Sequence, residues 1–322
     1  MLSIGIYLQI LFPALLSAII LNFLIPFLKK YVVDKPNKRS SHITSKPTAG
    51  GISFVIVGTL FLAFNGNFYP LMCIPLAVVG FLDDFLNLSR KSRLFIQTLT
   101  VILLLSGSIS DNYLFTNSSE LLKLVFIIFL LCFFLGVINF INFMDGLDGL
   151  VAGSMSIVIL TGSILISDTY WPLFGALLGF IFFNWYPSKI FMGDCGSTYL
   201  GGVFIGIILL SSNWINALKI VLVATPLITD ALFCIVRRFL HKELIFEAHR
   251  SHLYQRLHQS GWSHGSVAIL YLIFTSILAA SVIFFDIKLT LLFIFLELLV
   301  AIWLDQKVSV PFLSSISTEK IL

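Results

Sequence analysis

The fold is decided by an apolar run at residues 122–140, which reads LKLVFIIFLLCFFLGVINF. As a helix, a run of this length spans the roughly 30 Å hydrocarbon core of a bilayer. Comparable runs recur along the 322 residues, of which 58% are hydrophobic and only 11% are charged. Isolated strands would leave backbone groups unpaired in lipid, so the runs predict helices. We expect an all-α integral membrane protein that forms a single polytopic domain over residues 1–322.

About eleven transmembrane helices are predicted, and the second and third are short and bounded by glycine or proline. Their predicted ranges are 4–28, 51–64, 69–82, 94–108, 122–140, 149–167, 172–186, 198–211, 217–236, 266–285 and 289–304.

The basic residues predict the orientation. No basic residue precedes the first run, which argues against a secretion signal, and Lys29 and Lys30 follow it. The positive-inside rule then places the N-terminus outside. Alternating from there, the cytoplasmic segments hold all 20 lysines and arginines except Lys123, Lys219 and Lys288. The net charge of +4 suits loops near anionic lipid and does not suggest a nucleic-acid partner.

Histidines and acids collect on the same predicted side, although no topological rule requires it. All six histidines lie there, together with Asp34, Asp83, Asp84, Asp145, Asp148 and Asp194. This asymmetry predicts an active site at the cytoplasmic face of the membrane. The four cysteines show no metal-type spacing, and we expect no disulfide.

Two acidic pairs stand out. Asp83 and Asp84 repel each other, so the pair needs a cation or a proton, although for one isolated pair a solvated helix end is the favoured explanation. The stretch INFMDGLDGL continues the quoted run and holds Asp145 and Asp148, which share a face on a helical turn. The helix macrodipole accounts for Asp145, but not for the repeated glycines or for the asparagines Asn139 and Asn142 upstream.

A third stretch, NWYPSKIFMGDCGSTYLGG, begins at Asn184 and carries Asp194 on a glycine-rich turn. A carboxylate that opens a helix suits Mg²⁺, with a phosphate at the helix N-terminus. An ordinary capped turn is the alternative. The polar linker DKPNKRSSHITSKPTAGG adds His42 and Lys46, which could face an anionic ligand, although positive-inside charge explains most of its basic residues.

The fourth stretch, EAHRSHLYQRL, gathers His249, Arg250 and His252, donors that suit phosphate oxygens. Zinc is a competing interpretation, but the sequence offers no cysteine pair or carboxylate set to complete a site. A solvated basic loop is the third alternative and is the expectation for Arg256, His258 and His264.

Acids for a divalent ion, donors for phosphate and an adjacent bilayer favour a reaction between a lipid phosphate and a soluble nucleotide. A transporter that uses Asp230 and Glu297 is an alternative, and so is an intramembrane Mg²⁺-dependent prenyltransferase. The latter would have a third aspartate where Asn87 stands. A CDP-alcohol phosphotransferase would have an arginine and further aspartates after the DG pair, and DGLDGLVAGSMS has neither.

Taken in order, PNKRSSH, KPTAGG, LDDFLNLS with Arg93 and Gln97 after it, NFMDGLDGL, FMGDCGS and HRSHLYQR resemble one family. It is the polyprenyl-phosphate N-acetylhexosamine-1-phosphate transferases, glycosyltransferase family 4, related to the phospho-N-acetylmuramoyl-pentapeptide transferase of peptidoglycan synthesis. The resemblance implies Mg²⁺, with Mn²⁺ as an alternative, and a UDP-N-acetylhexosamine and undecaprenyl phosphate as substrates. It also implies the bacterial inner membrane and a homodimer.

The resemblance also implies roles for matching residues. Asp194 and Asn142 would bind the metal, and Asp83 and Asp84 would lie near the acceptor phosphate. Catalytic roles at the sugar-phosphate end would fall to His249 and His252. Substrate binding would involve His42, Lys46, Asn139, Asp145, Gly146, Leu147, Asp148, Asn184, Phe191 and Arg250; of these, Gly146, Leu147 and Asp148 would form the uracil pocket and Phe191 would stack on the base.

Two departures from the peptidoglycan enzymes narrow the substrate. Asn87 stands where those enzymes have lysine, and His-Arg-Ser-His stands where they have three consecutive histidines. Both features argue against a muramoyl-pentapeptide substrate. The histidine loop is more similar to the branch that initiates O-antigen, a lipopolysaccharide component of the cell surface.

Overall fold

The chain is helical almost throughout in a computed structural model, which describes residues 4–36, 44–109, 119–244 and 249–315. These residues include fourteen α-helices, a short 3₁₀ helix at Asp168–Tyr170 and one pair of two-residue strands. The helices are α1 (Ile4–Tyr31), α2 (Ile52–Phe64), α3 (Tyr69–Met72), α4 (Ile74–Leu86), α5 (Arg90–Ile109), α6 (Glu120–Phe143), α7 (Leu150–Leu165), α8 (Trp171–Asn184), α9 (Gly193–Leu209), α10 (Trp214–Val223), α11 (Thr225–Leu240), α12 (Leu253–Gln259), α13 (His264–Phe284) and α14 (Ile287–Lys307). All eleven predicted segments are helical, so the all-α class is confirmed.

Five spans among the described residues are long and apolar enough to cross a membrane. They are α1, α3 with α4 (Tyr69–Leu86), α6, α13 and α14, and the bent pair α10 and α11 would make a sixth. The helices α2, α7 and α9 are apolar but shorter. The molecule is therefore a multi-pass helical membrane protein, while the count of eleven crossings and the outside N-terminus stay predictions.

The ninth predicted helix, 217–236, is wrong as a single element. The chain bends by 69° between α10 and α11, with Ala224 at the break. Pro226 lies in the first turn of α11, where its missing N–H costs nothing, but it could not continue a helix from α10. The bend separates the segment into two arms, and α11 carries Asp230 and Cys234.

Helix α9 lies at the centre of the molecule, with every residue from Cys195 to Leu209 buried. The neighbouring helices α7 and α8 are also largely buried. By contrast, α1 and α14 expose large apolar side chains such as Phe23, which is 76% exposed. Apolar side chains of this size on an outer helix suit contact with lipid.

A small strand pair anchors the polar linker after α1. β1 (Val33–Asp34) pairs antiparallel with β2 (Lys46–Pro47). The chain then docks on the segment before α9, since Phe191 N donates to Pro47 O at 2.9 Å and Gly50 N to Phe191 O at 2.9 Å. At Gly51 a Cβ would lie 2.5 Å from Gly196 Cα. This close approach holds Lys46 beside the start of α9.

Candidate functional site

An acidic centre forms where α4, α5, α6 and α9 meet. One nitrogen of Arg93, Nη1, donates to Asp83 Oδ2 at 2.7 Å and to Asp194 Oδ2 at 2.8 Å. Asn142 Nδ2 donates to Asp194 Oδ1 at 2.8 Å and to Ser197 Oγ at 2.9 Å. These five residues come from four helices. Asp194 and Asn142, the two predicted metal ligands, are therefore brought together only by the tertiary fold.

Asp84 has a different position from its neighbour. Its oxygens accept hydrogen bonds from the backbone of Asp194 at 3.1 Å and of Cys195 at 3.3 Å. These amides belong to the first turn of α9, whose N–H groups have no partners inside the helix. Gly193 turns the chain with φ +73°, and a Cβ on it would lie 2.3 Å from Asp84 Oδ2. Asp84 therefore fixes the turn that carries Asp194.

Asp145 is a half-buried carboxylate between α6 and α7, and among the described residues its side chain makes no hydrogen bond. Burial, followed by the negative charges of Asp194, Asp84 and Asp148, raises its pKa well above the usual value. Carboxylates that raise one another's pKa repel one another, so additional positive charge would stabilise their ionised forms. This property fits the predicted divalent cation, and carboxylate and amide oxygens are the donors that Mg²⁺ prefers.

Asn139 lies one helical turn before the acidic centre on α6. Its Nδ2 donates to Gln97 Oε1 at 3.0 Å and to Leu135 O at 2.8 Å, and Gln97 donates back to its Oδ1 at 3.4 Å. The amide is thus engaged in joining α5 to α6, and its role in substrate binding stays a prediction.

A second polar cluster surrounds Asp148, whose side chain is buried. Ser188 donates to it through N at 3.0 Å and through Oγ at 2.8 Å, and Lys46 Nζ donates at 3.4 Å. His264 Nδ1 lies 3.5 Å from Asp148 Oδ1. Burial opposes ionisation, but hydrogen bonds from His264 and Ser188 and the Lys46 charge lower the pKa of Asp148 to about 2. Lys46 also lies 5.1 Å from the ring centroid of Phe191.

The loop between α6 and α7 is held in place from two sides. Asn184 Oδ1 accepts from Gly149 N at 3.1 Å, and its Nδ2 donates to Ile190 O at 3.0 Å. Gly146 is exposed, and a Cβ on it would lie 2.3 Å from Tyr254 Oη, while Leu147 is buried. Asn184 therefore shapes the loop through backbone contacts, and its predicted contact with substrate stays a prediction.

The histidine loop, residues 249–252, lies beside the turn between α6 and α7. Tyr254 Oη donates to Phe143 O at 2.9 Å, which ties α12 to the end of α6. The rings of His249 and His252 stack with centroids 4.9 Å apart. Burial disfavours a charged His252, but Cys234 and Asp230 raise its pKa to about 10. The raised pKa favours the protonated ring, which suits an anionic ligand.

Asp230 was a candidate for a transport role, and the structure gives it another one. Its oxygens accept from Leu253 N at 2.8 Å, from Tyr254 N at 3.1 Å and from Tyr271 Oη at 2.6 Å. The carboxylate thus caps α12 from outside the helix and positions the histidine loop.

The expectation of a solvated basic loop is wrong for Arg256, which is only 2% exposed. It donates to Asp305, to Ser309 Oγ at 3.0 Å and to Val310 O at 3.0 Å. His264 is buried beside Asp148. His258 is half-buried, with Nδ1 2.8 Å from the carbonyl of Trp262. Arg256 and His264 contact carboxylates that are distant in sequence, Asp305 and Asp148, whereas His258 contacts a carbonyl four residues away.

Sequence reasoning gave no role to Arg93, Ser188 or His264 in the site. Ser188 stands in the quoted stretch near Asp194, but nothing local links it to Asp148, 40 residues away.

His42 lies outside the described residues. Arg250 is partly buried, and its carbonyl accepts from Gln259 Nε2 at 2.7 Å.

The fold and site define a class: a multi-pass helical membrane protein with an acidic centre at the ends of its helices and basic and histidine side chains close to it. Comparison with known proteins agrees with this class. Residues 67–212 match the family model described as "Glycosyl transferase family 4". The match includes Asp83, Asp145 and Asp194 but ends before the histidine loop.

Three relatives show the same similarity. The chain is 29% identical over 270 residues to the "Probable undecaprenyl-phosphate N-acetylglucosaminyl 1-phosphate transferase" of Bacillus subtilis, covering 75% of this chain and 74% of that one. It is 31% identical over 238 residues to the "Phospho-N-acetylmuramoyl-pentapeptide-transferase" of Prochlorococcus marinus, covering 62% and 64%. The protein of that name from Clostridium botulinum (strain Alaska E43) is 29% identical over 318 residues, covering 84% and 96%. The resemblance to the polyprenyl-phosphate sugar-1-phosphate transferase family is confirmed.

Proposed function

We propose that the protein transfers an N-acetylhexosamine 1-phosphate group from a UDP-sugar to a polyprenyl phosphate, with polyprenyl-diphosphate sugar and UMP as products. The observation that carries the proposal is the meeting of the acidic centre, the Asp148 cluster and the histidine loop around one turn, residues 144–149. A nucleotide diphosphate needs a cation for its phosphates, a pocket for its base and donors for its far end. These three regions supply them.

The acidic centre is the proposed diphosphate site. Asp194, Asn142 and Asp145 are the side chains proposed to hold Mg²⁺, and Mn²⁺ offers the same preference for oxygen. The bound ion would neutralise charge on the diphosphate and on the leaving UMP. Arg93 adds a positive charge between Asp83 and Asp194, which offsets the repulsion between the two carboxylates.

The Asp148 cluster is the proposed nucleoside site. Phe191 offers an aromatic face for uracil, and Lys46 lies over the same ring. Asp148 holds Lys46 and Ser188 in place, so it acts on the base through them as well as directly. A ring that already attracts a cation also suits stacking on a flat heterocycle.

The acceptor would be oriented by Asp83 rather than Asp84. Asp84 has both oxygens engaged by the backbone of α9, so it positions Asp194. Asp83 accepts from Arg93 and from Leu88 N at 2.6 Å and is partly exposed beside the membrane-spanning part of α4. Arg93 would then bind the lipid phosphate while Asp83 holds its guanidinium.

The proposed step is a direct displacement. An oxygen of the lipid phosphate attacks the phosphorus that carries the sugar, and the bond from that phosphorus to the bridging oxygen breaks. UMP leaves with the bridging oxygen. A phosphomonoester has a second pKa near 6, so at neutral pH the acceptor is mostly a dianion and needs positioning more than a base.

The proposed setting is the first membrane step of O-antigen or another cell-surface polysaccharide, at the cytoplasmic face of the inner membrane. His-Arg-Ser-His and Asn87 support a substrate other than muramoyl-pentapeptide. Asn87 ends α4 with φ +52°, a left-handed conformation that asparagine adopts more readily than lysine. The Bacillus subtilis relative, whose name specifies N-acetylglucosamine, supports UDP-N-acetylglucosamine as the first sugar to test.

The test is to incubate purified protein with Mg²⁺, undecaprenyl phosphate and a panel of UDP-sugars, and to measure UMP release together with the lipid product. Lipid-dependent UMP release with at least one UDP-N-acetylhexosamine is expected. Release of UDP or free sugar phosphate, or no reaction with any of the sugars, would contradict the proposal.

A further inference from the structure

Three side chains that favour thiophilic metals meet beside the histidine loop, although they are distant in sequence. Cys234 lies on α11, while His249 and His252 lie on the loop before α12, and one ligand atom of each lies within 4.8 Å of the others. The sulfur of Cys234 is 4.0 Å from His249 Nδ1. Zinc binds sulfur at about 2.3 Å and nitrogen at about 2.0 Å, which places tetrahedral ligands roughly 3.5 Å apart. A contraction of about 1 Å would therefore close the cluster on an ion.

We propose that Cys234, His249 and His252 form a binding site for Zn²⁺ or a similar thiophilic divalent metal ion, separate from the oxygen-lined acidic centre.

The surroundings of the cluster fit a metal ion. Cys234 and His252 are 3% and 2% exposed, and within the described parts of the chain the buried Nδ1 of His252 has no hydrogen-bond partner. Asp230 Oδ1 lies 3.7 Å from this nitrogen. A carboxylate next to a histidine ligand orients the ring and favours positive charge there. Asp230 is itself held by Leu253 N and Tyr271 Oη, so it provides a fixed negative charge.

His249 is partly exposed, whereas Cys234 and His252 are buried. A site with three protein ligands and an open fourth position can accept water or an oxygen of a phosphate. Ser251 Oγ lies 3.6 Å from the sulfur and 3.0 Å from His249 Nδ1, so its hydroxyl can support the thiolate or the imidazole.

Ligand chemistry separates this cluster from the acidic centre. Thiolate and imidazole ligands select zinc and related ions, while carboxylate and amide oxygens select Mg²⁺. The two sites would therefore hold different metals at the same time. The sequence did not reveal this cluster because Cys234 lies 15 residues before His249, without a second cysteine to mark a metal motif.

A consequence for turnover rests on the proposed function, in which His249 and His252 contact the phosphate end of the substrate. An ion bound by both imidazoles withdraws them from the substrate, so zinc should inhibit the transferase even when Mg²⁺ is saturating. The binding of metal by the cluster does not depend on that function.

The primary test uses Co²⁺ as a spectroscopic probe of the purified full-length protein, because cobalt bound by thiolate absorbs in the near ultraviolet. The wild type should show a thiolate-to-cobalt band that saturates at one ion per chain and disappears when Zn²⁺ is added. Cys234→Ser, which changes one atom, should lose the band. Cys132→Ser, at an exposed cysteine on α6, should retain it.

A wild type without the band, a band that persists in Cys234→Ser, or a band that is lost in Cys132→Ser would overturn the proposal. His249→Ala should weaken cobalt binding by at least about tenfold, and an unchanged affinity would also contradict it. Thermal unfolding of each variant shows that the loss does not come from misfolding.

The activity test adds Zn²⁺ at saturating Mg²⁺ and compares each variant with its own zinc-free rate. Zinc should inhibit the wild type and should lose at least about tenfold in potency against Cys234→Ser. Inhibition of equal potency in both proteins would overturn the link between this cluster and turnover. An enzyme without any transferase activity but with the cobalt band would contradict the proposed function while leaving the metal site intact.

Discussion

Asp84 holds Asp194 in position: its carboxylate accepts from the Asp194 backbone N–H at 3.1 Å, while the Asp194 side chain faces Asn142 and Arg93. The two aspartates come from α4 and α9, 110 residues apart. At Gly80, a Cβ would lie 2.4 Å from the backbone of Asp194, so the two helices are in direct contact there. The geometry of the proposed metal site thus depends on a carboxylate whose two oxygens both accept from the backbone of α9.

Replacement of the two neighbouring acids should therefore have different effects. Asp84→Asn leaves one oxygen to accept from two amides and should cost about 1–2 kcal/mol of stability, comparable with the loss of a helix cap. Asp83→Asn should reduce turnover strongly while UDP-sugar affinity and melting temperature change little. Thermal unfolding, equilibrium UDP binding and initial rates measure the three quantities. Equal loss of stability in both variants would contradict the separation of roles.

Activity should require a divalent cation, and Asp194→Asn should abolish it without unfolding the protein. The asparagine amide can still accept a hydrogen bond from Arg93. The substitution, however, removes a negative charge from the proposed cation site. The matched control is Glu120→Gln, the same kind of change at a side chain that is 90% exposed at the start of α6. It should keep wild-type activity. Turnover that survives a strong chelator would disprove the metal assignment.

The contribution of Asp148 to nucleotide affinity should be the same at every pH near neutrality. The folded-state pKa of Asp148 is lowered from 3.8 to about 2. Its stabilising contribution is therefore complete above pH about 4 and is lost only as the pH falls through about 2. Asp148→Asn should weaken UMP binding by the same factor at every pH from 5 to 8. A factor that varies with pH in this range would mean that Asp148 titrates there.

Phe191 should contribute to the same affinity by stacking. Phe191→Ala should weaken UMP binding by roughly 1–3 kcal/mol, the usual value for a base on an aromatic ring, while Phe191→Trp should retain most of it. Phe182→Ala is the control, since that ring is 73% exposed on α8. Isothermal titration with UMP measures all three. An unchanged affinity in Phe191→Ala would move the base to another site.

The sequence predicted the helices and the acidic residues better than it predicted their contacts. Apolar runs locate helices because bilayer length and periodicity are local properties, and the opening of α9 marked Asp194. The bend at Ala224 was missed, although Pro226 was a local signal for it. Arg256 was expected in solvent because its partner, Asp305, lies 49 residues later and no local pattern links them. Charge balance between distant residues becomes visible only in the folded chain.

The sidedness of the site can be tested with single cysteines in an otherwise cysteine-free protein. Ser92→Cys lies at the exposed start of α5 beside the acidic centre, and Ser212→Cys lies in the exposed turn after α9. Predicted topology places these positions on opposite sides of the membrane. In intact cells an impermeant thiol reagent should label Ser212→Cys, and it should label Ser92→Cys only after the membrane is opened. The reverse pattern would invert the orientation.

The chemical step should be a single displacement, because both acids near the acceptor are engaged. Asp83 accepts from Arg93 and Leu88 N, and Asp84 accepts from two amides of α9. A carboxylate held in this way is a poor nucleophile, since attack on phosphorus would break its hydrogen bonds. The lipid phosphate has no such restraint and is mostly a dianion at neutral pH.

The measurement omits the lipid and mixes enzyme, Mg²⁺, labelled UMP and unlabelled UDP-sugar. A double displacement would form a phosphosugar–enzyme and exchange label between UMP and UDP-sugar, whereas a single displacement gives no exchange until lipid is added. The same mixture with undecaprenyl phosphate is the positive control, since the complete reaction breaks one diphosphate bond and forms another and should therefore run in both directions. Exchange without lipid that disappears in Asp83→Asn but not in Glu120→Gln would make Asp83 a nucleophile and refute the direct mechanism.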